Sequence, residues 1–288
     1  MPPRPRVLVP LALVLALALP AGRASAAGSS AVAAIQVALQ ARLLYLGAID
    51  GMTGPDTTAA VKAFQRRNRL PVDGVVGART RTALGRYGRH GLGSRTLARG
   101  AFGWDVAQLQ FLLAWHGFPS GAFDGHLGPH GVAALRRFQA YAGLPPDGIA
   151  GTSTIAALHA PLPRSPIALA WPLHARMGDP FGPRGNRFHA GIDLIAPAGA
   201  PVAAAGAGRV VWAGSRAGGW GLLVVVAHSH GVRSMYAHLS RVDVRLGQYV
   251  TTGQRLGRVG ATGDATGPHL HFELRVRGAA VDPLTALR

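Results

Sequence analysis

Residues 39–84 recur, with substitutions, in residues 109–158, and this duplication limits the fold more than any composition can. The first copy carries Leu39-Gln40, Leu43, Gly47, Asp50-Gly51, Gly54-Pro55, Phe64-Gln65, Leu70-Pro71, Asp73-Gly74, Gly77, Thr80 and Ala83-Leu84. The second carries Leu109-Gln110, Leu113, Gly117, Asp124-Gly125, Gly128-Pro129, Phe138-Gln139, Leu144-Pro145, Asp147-Gly148, Gly151, Thr154 and Ala157-Leu158. From Asp50 and Asp124 onward the two copies keep a constant spacing, through to Leu84 and Leu158. Before those aspartates the Leu-Gln match is closer in register, which implies four extra residues between Gly117 and Asp124. Matches this dense mark a repeated supersecondary unit.

Each copy reads as helix, Asp-Gly turn, helix, Asp-Gly turn, helix. Ile35, Leu39, Leu43 and Leu46 recur at helical spacing. Asp56 and Asp105 stand where N-caps are expected, and the glycines after Asp50 and Asp73 supply the positive φ of a sharp reversal. Three short helices of about 55 residues lie near the lower size limit for independent folding. Residues 86–103, rich in glycine and arginine, read as a linker, and the prolines between His159 and Pro166 as a stiffer one.

From Ile167 the pattern changes. Residues 209–214, 222–228 and 270–276 are rich in branched and aromatic side chains and lie between glycine-rich breaks. No window of helical length intervenes, so an antiparallel sheet is expected. The fold class is multidomain α+β: two small three-helix bundles, then a mostly antiparallel β domain over residues 168–288.

Residues 1–26 read as an export signal. Arg4 and Arg6 precede an apolar run, Val7 to Pro20, and Ala24-Ser-Ala26 offers a small-residue cleavage site. That run is shorter than the roughly 18–20 residues a membrane span needs. The mature chain is therefore expected outside the cell with no stable span. With no cysteine there is no disulfide framework and no lipid-attachment site. Thirty basic residues oppose 12 acidic ones, and Lys62 is the sole lysine. Such a surface is drawn to polyanions. Anionic wall polymers fit better than nucleic acid, because the arginines are scattered and no nucleic-acid-binding motif is present.

Five residues of the last third carry the chemistry: His189, Asp193, His238, His269 and His271. Without cysteine, a tightly held transition metal depends on imidazole and carboxylate. Two imidazoles and one carboxylate leave a position open for water, the ligand logic of a hydrolytic zinc site. In a strand through Leu270–Val276, His269, His271, Glu273 and Arg275 share one face while Leu270, Phe272, Leu274 and Val276 fill the other. His189 and Asp193 are expected on a loop leading into a strand, since Gly191 and Pro197 oppose a helix. Spacing alone does not decide which of His269 and His271 is the ligand.

Two resemblances follow. The Leu-Gln, Asp-Gly, Phe-Gln and Pro-x-Asp-Gly elements of residues 31–86 and 104–160 resemble the small peptidoglycan-binding domain of bacterial wall hydrolases, which implies attachment to peptidoglycan. Phe181-Gly-Pro-Arg184, His189-x-x-x-Asp193, Tyr236-Ala-His238-Leu and Thr266-Gly-Pro-His269-Leu-His271-Phe-Glu273 resemble the zinc metallopeptidase family M23, the lysostaphin and LytM type. That resemblance implies zinc held by His189, Asp193 and His271, with His238 and His269 as the catalytic histidines. It implies a secreted endopeptidase cutting the peptide cross-links of peptidoglycan. A non-enzymatic activator of another wall hydrolase and a pure wall-binding protein are the alternatives.

The remaining polar residues carry less. Glu273 is open to a hydrogen bond behind the site or to a nearby arginine. Arg184 is open to a substrate carboxylate or to bracing its loop. His228 reads as structural, and His90, His116, His126, His130, His159, His174 and His230 as surface residues.

Overall fold

A computed structural model describes residues 28–288, and the export segment read above lies outside the described residues. The first repeat is α1 (Ser30–Gln40), α2 (Pro55–Arg67) and α3 (Ala78–Ala83); the second is α4 (Trp104–Trp115), α5 (Pro129–Tyr141) and α6 (Thr152–Ala157). Pro55 and Pro129 open their helices, where a fixed φ and a missing N–H cost nothing. Glycines occupy the N-cap positions, so Asp56 is not a cap; it lies in the first turn, where it favours the helix dipole. Asp105 is no cap either: Arg95 binds it at 2.7 Å. That pair ties the expected linker to the second repeat, and Leu97 is buried there with backbone bonds to Ala150.

The structure removes the four-residue insertion. In both copies one glutamine donates to the Asp-Gly carboxylate and accepts from the glycine N–H. Gln36 reaches Asp50 at 2.7 Å and Gln110 reaches Asp124 at 2.8 Å. Gln65 does the same for Asp73 (2.6 Å), as Gln139 does for Asp147 (2.8 Å). Gln36 stands to Gln110 as Asp50 stands to Asp124. The bond from Leu44 N–H to Leu39 O and that from Phe118 N–H to Leu113 O keep the same spacing. One register holds throughout, and the match of Leu39-Gln40 to Leu109-Gln110 is coincidental. The same alignment explains Leu43 and Leu46. Helix α1 stops at Gln40, and these two leucines, expected on its buried face, are 83% and 87% exposed. The four Asp-Gly glycines all have φ between +72° and +77°.

Helices α1 and α4 cross on small side chains. Ala33, Ala34, Val37 and Ala38 share one core with Ala107, Phe111 and Ala114. Each repeat alone is too small for a large core, and packing the pair buries the face that each leaves open.

The C-terminal part contains twelve strands: β1 (Arg176–Met177), β2 (Gly182–Arg184), β3 (Arg187–His189), β4 (Ile192–Ile195), β5 (Pro201–Ala203), β6 (Gly208–Arg216), β7 (Gly221–Ala227), β8 (Val232–Val242), β9 (Tyr249–Val250), β10 (Arg255–Val259), β11 (Leu270–Val276) and β12 (Ala279–Val281). Every pairing between them is antiparallel. The main sheet runs β1-β4-β11-β8-β7-β6-β9, while β2 and β3 form a separate hairpin. Alternation puts Leu270, Phe272 and Leu274 of β11 into a core with Ile192, Leu194, Val224, Val226 and Tyr236. The opposite face of β11 is thereby free to carry polar groups. Among the described residues no helix is long and apolar enough to cross a membrane.

Candidate metal centre

The register of the central strands builds the site. His271 of β11 lies opposite Asp193 of β4 on one side and Ala237 of β8 on the other. His189 ends β3 and returns through Ala190 and Gly191. A side chain at Gly191 would collide with the backbone of Phe272, so this turn needs glycine to lie against β11.

Three donor atoms converge. His271 Nδ1 is 2.8 Å from Asp193 Oδ1, His189 Nε2 is 3.2 Å from that oxygen, and the two ring nitrogens are 3.0 Å apart. Ligands about 2.0–2.1 Å from a tetrahedral zinc ion stand roughly 3.3 Å from one another. The triangle is close to that size.

The proton positions fit a cation as well. His189 Nδ1 lies 2.8 Å from the Pro180 carbonyl, which can only accept, so the proton is on Nδ1 and Nε2 presents a lone pair. His271 Nε2 faces Glu273 Oε1 at 3.4 Å, and Arg275 holds the other carboxylate oxygen at 2.8 Å. With that proton directed at Glu273, Nδ1 faces inward, where a cation or a second proton can occupy its lone pair. Two imidazole lone pairs and a carboxylate then point at one small space, an arrangement a divalent cation relieves. Both readings of Glu273 hold at once, since it backs His271 and pairs with Arg275.

Charge reinforces the arrangement. Burial disfavours the Asp193 carboxylate, but the close approach of His189 and His271 outweighs it and holds the group well below the usual range. Burial also opposes a charged His271, yet Asp193 and Glu273 raise it to about 9. Burial opposes the Glu273 anion too, and Arg275 together with His271 overrides it. The pocket is built for positive charge.

The other two histidines form a second layer. His238 and His269 have ring centres 4.8 Å apart. Their Nδ1 atoms donate to the carbonyls of Thr262 (2.8 Å) and Gly267 (2.9 Å), which leaves both Nε2 atoms free as acceptors. His269 Nε2 is 3.7 Å from Asp193 Oδ1, so the second layer touches the first. Burial, then the neighbouring histidines, pushes His238 below its ordinary pKa and keeps it neutral. His238 also has φ +60°, in the left-handed region. It lies where the β7–β8 register slips between Leu222 and Val224, and such a bulge re-aims a side chain out of its alternation.

These residues floor a cleft of about 640 Å³, walled by Arg184 on β2, Trp220 before β7 and the loop from Asp264 to Pro268. No described residue of either helical repeat lines it. Arg184 braces its strand, with Nη1 2.9 Å from Asp179 and 3.6 Å from the outer oxygen of Asp193. Trp220 and Asp264 carried no sequence motif and were not legible. The three orienting carbonyls could not be legible, because any residue supplies a carbonyl.

Six of the seven histidines expected at the surface are exposed, but His116 is buried and bonds the Leu158 carbonyl at 2.9 Å. Its neighbours are Phe138 and the end of α6, which the sequence does not show to be close. His228 is structural, spanning Ala207 O and Ser234 Oγ at 2.8 Å each.

Comparison with known proteins bears on the domains around this site. Residues 187–283 match the profile of Peptidase family M23, and residues 28–84 and 103–158 each match that of a "Putative peptidoglycan binding domain". The C-terminal domain thus carries the profile of peptidase family M23, behind two regions that carry the peptidoglycan-binding profile. The DD-carboxypeptidase/endopeptidase Mpg of Neisseria meningitidis is 42% identical over 39% of this chain and 27% of its own length. The peptidoglycan DD-endopeptidase ShyA of Vibrio cholerae is 44% identical over 34% of this chain and 23% of its own. The chain thus spans about a quarter of each relative. The catalytic domain of the antimicrobial peptidase lysostaphin from Staphylococcus simulans aligns at 34% identity and TM-score 0.37, over 38% of this chain and 90% of that domain.

Proposed function

We propose that the chain is an exported, zinc-dependent endopeptidase that hydrolyses peptide cross-links of bacterial peptidoglycan. In this reading residues 1–26 direct export, residues 31–86 and 104–160 hold the wall, and residues 168–288 cut it. The observation that carries it is the triangle of His189, Asp193 and His271, backed by Pro180 and Glu273, with two oriented histidines beside it.

His189 Nε2, Asp193 Oδ1 and His271 Nδ1 would hold the ion. Bound zinc supplies Lewis acidity, which makes water nucleophilic near neutral pH and polarises a peptide carbonyl. The protein does the rest. His238 and His269, each with Nε2 open, accept a proton from the attacking water and return one to the leaving amine. Protonated, the same imidazoles are donors for a developing oxyanion. Family-profile membership and the endopeptidase names of the relatives support the reaction class. The complete set of five residues favours an enzyme over a non-enzymatic activator.

The test is release of new amino termini from purified peptidoglycan by the mature protein. His271→Ala, or a chelator, is expected to reduce release to background. Undiminished release by the His271→Ala protein sinks the zinc-hydrolase reading and leaves wall binding standing.

A further inference from the structure

The β2–β3 hairpin carries part of the metal site yet belongs to no large sheet. His189 stands at its end and Arg184 at its turn, so its placement fixes one corner of the donor triangle. Beyond its bonds to Asp179, Pro180, Asp193 and His271, its tip and one flank are held by the helical repeats. At the tip, Gly185 O accepts from Ile49 N–H at 2.8 Å and Asn186 O accepts from Phe123 N–H at 2.7 Å. Ile49 and Phe123 are equivalent positions, each immediately before the first Asp-Gly turn of its copy. The two repeats therefore grip consecutive carbonyls with the same residue of each copy.

On the flank, the Trp115 ring meets Phe188 at 5.3 Å and Phe181 at 6.2 Å, both edge-on. Phe181 and Phe188 pack against the core shared by α1 and α4. The first-copy equivalent of Trp115 is Ala41, which is exposed. The two copies differ where the hairpin sits.

We propose that the paired repeats position the β2–β3 hairpin, and through it His189, so that Trp115 is a positioning residue for the metal site as well as part of a packing surface. This rests on the zinc reading above. The Trp115 indole N–H has no hydrogen-bond partner among the described residues, so the contact is one of ring shape, and phenylalanine should replace it.

The test uses the full mature chain and three variants: Trp115→Ala, Trp115→Phe and Phe138→Ala. The last opens a cavity in the second repeat away from the hairpin. Zinc affinity is read by competition with a chromogenic chelator, and exchange of the amides of residues 184–189 by hydrogen–deuterium mass spectrometry. Trp115→Ala is expected to weaken zinc about tenfold or more, the scale of losing support behind a ligating histidine, and to speed hairpin exchange. Trp115→Phe and Phe138→Ala should stay near wild type in both. Unchanged affinity and exchange in Trp115→Ala overturn the proposal, as does an equal loss in Phe138→Ala, which would be general destabilisation. A wild-type chain that binds no zinc overturns the zinc reading instead, and hairpin exchange then decides the clamp alone.

Discussion

The two helical repeats share a template and have diverged in what their surfaces meet. At the end of the first helix, Leu43 and Gly117 are equivalent, and both have positive φ, +57° and +87°. In the first repeat this corner faces solvent. In the second it lies on β12, where Ala280 N–H donates to Gly117 O at 3.1 Å and a side chain would collide with Ala280. Leu46 is exposed while its counterpart Ser120 is buried. Charge divides the same way. Residues 28–84 hold seven basic and three acidic groups, whereas residues 103–158 hold two and three. Arg66 and Arg67 of the first copy are Ala140 and Tyr141 in the second. Both copies hold the hairpin tip, but at the corner after the first helix only the second is docked, while the first leaves an exposed, more basic face.

The strongest way to break that comparison is substitution at the shared corner. Gly117→Ala should cost about 2–4 kcal/mol, because it adds left-handed strain to overpacking against Ala280. Leu43→Gly relieves the same strain in open solvent and should change stability by no more than about 1 kcal/mol. Thermal unfolding of both variants checks this, and equal losses would erase the distinction between docked and free copies.

A smaller effect is expected on wall retention. Giving the first repeat the second repeat's residues, Arg66→Ala with Arg67→Tyr, should lower co-sedimentation with isolated walls several-fold at low salt. The difference should shrink as salt screens the charges. Retention that ignores both changes would place wall binding elsewhere.

The smallest effect concerns pH. Arg42 and His116 are equivalent, and each caps a helix-end carbonyl, Leu84 O at 2.8 Å and Leu158 O at 2.9 Å. Burial pushes His116 below its ordinary pKa despite the bond to Leu158 O. The unfolded chain then binds the proton more readily, so this contribution is whole above about pH 6.5 and fades as pH falls below it. His116→Gln should flatten stability between pH 7 and 5, measured by denaturant titration. An unchanged slope would mean that His116 does not titrate differently on folding.

The sequence exposed what depends on side-chain pattern. Alternation along Leu270–Val276 correctly separated the core face of β11 from the site face, and the Asp-Gly glycines marked their turns. It misled where a short match competed with tertiary contacts. Leu39-Gln40 mimicked Leu109-Gln110, yet the working glutamine is Gln36, identifiable only by its bond to the turn at Asp50. Leu43 and Leu46 fit a helical face that ends at Gln40, because Leu43 turns left-handed and Tyr45 fills the core instead. The five site residues were legible as motifs. Their proton positions were not, since those depend on the carbonyls of Pro180, Thr262 and Gly267.

The position of the cleft has a consequence for access. Among the described residues neither repeat lines it, and every lining residue lies between Gly178 and His271. A ligand entering it meets no described residue of either repeat on its walls. In a molecule arranged this way, the repeats reach the cleft through the hairpin they hold, while its rim is left to residues 218–220 and 264–268.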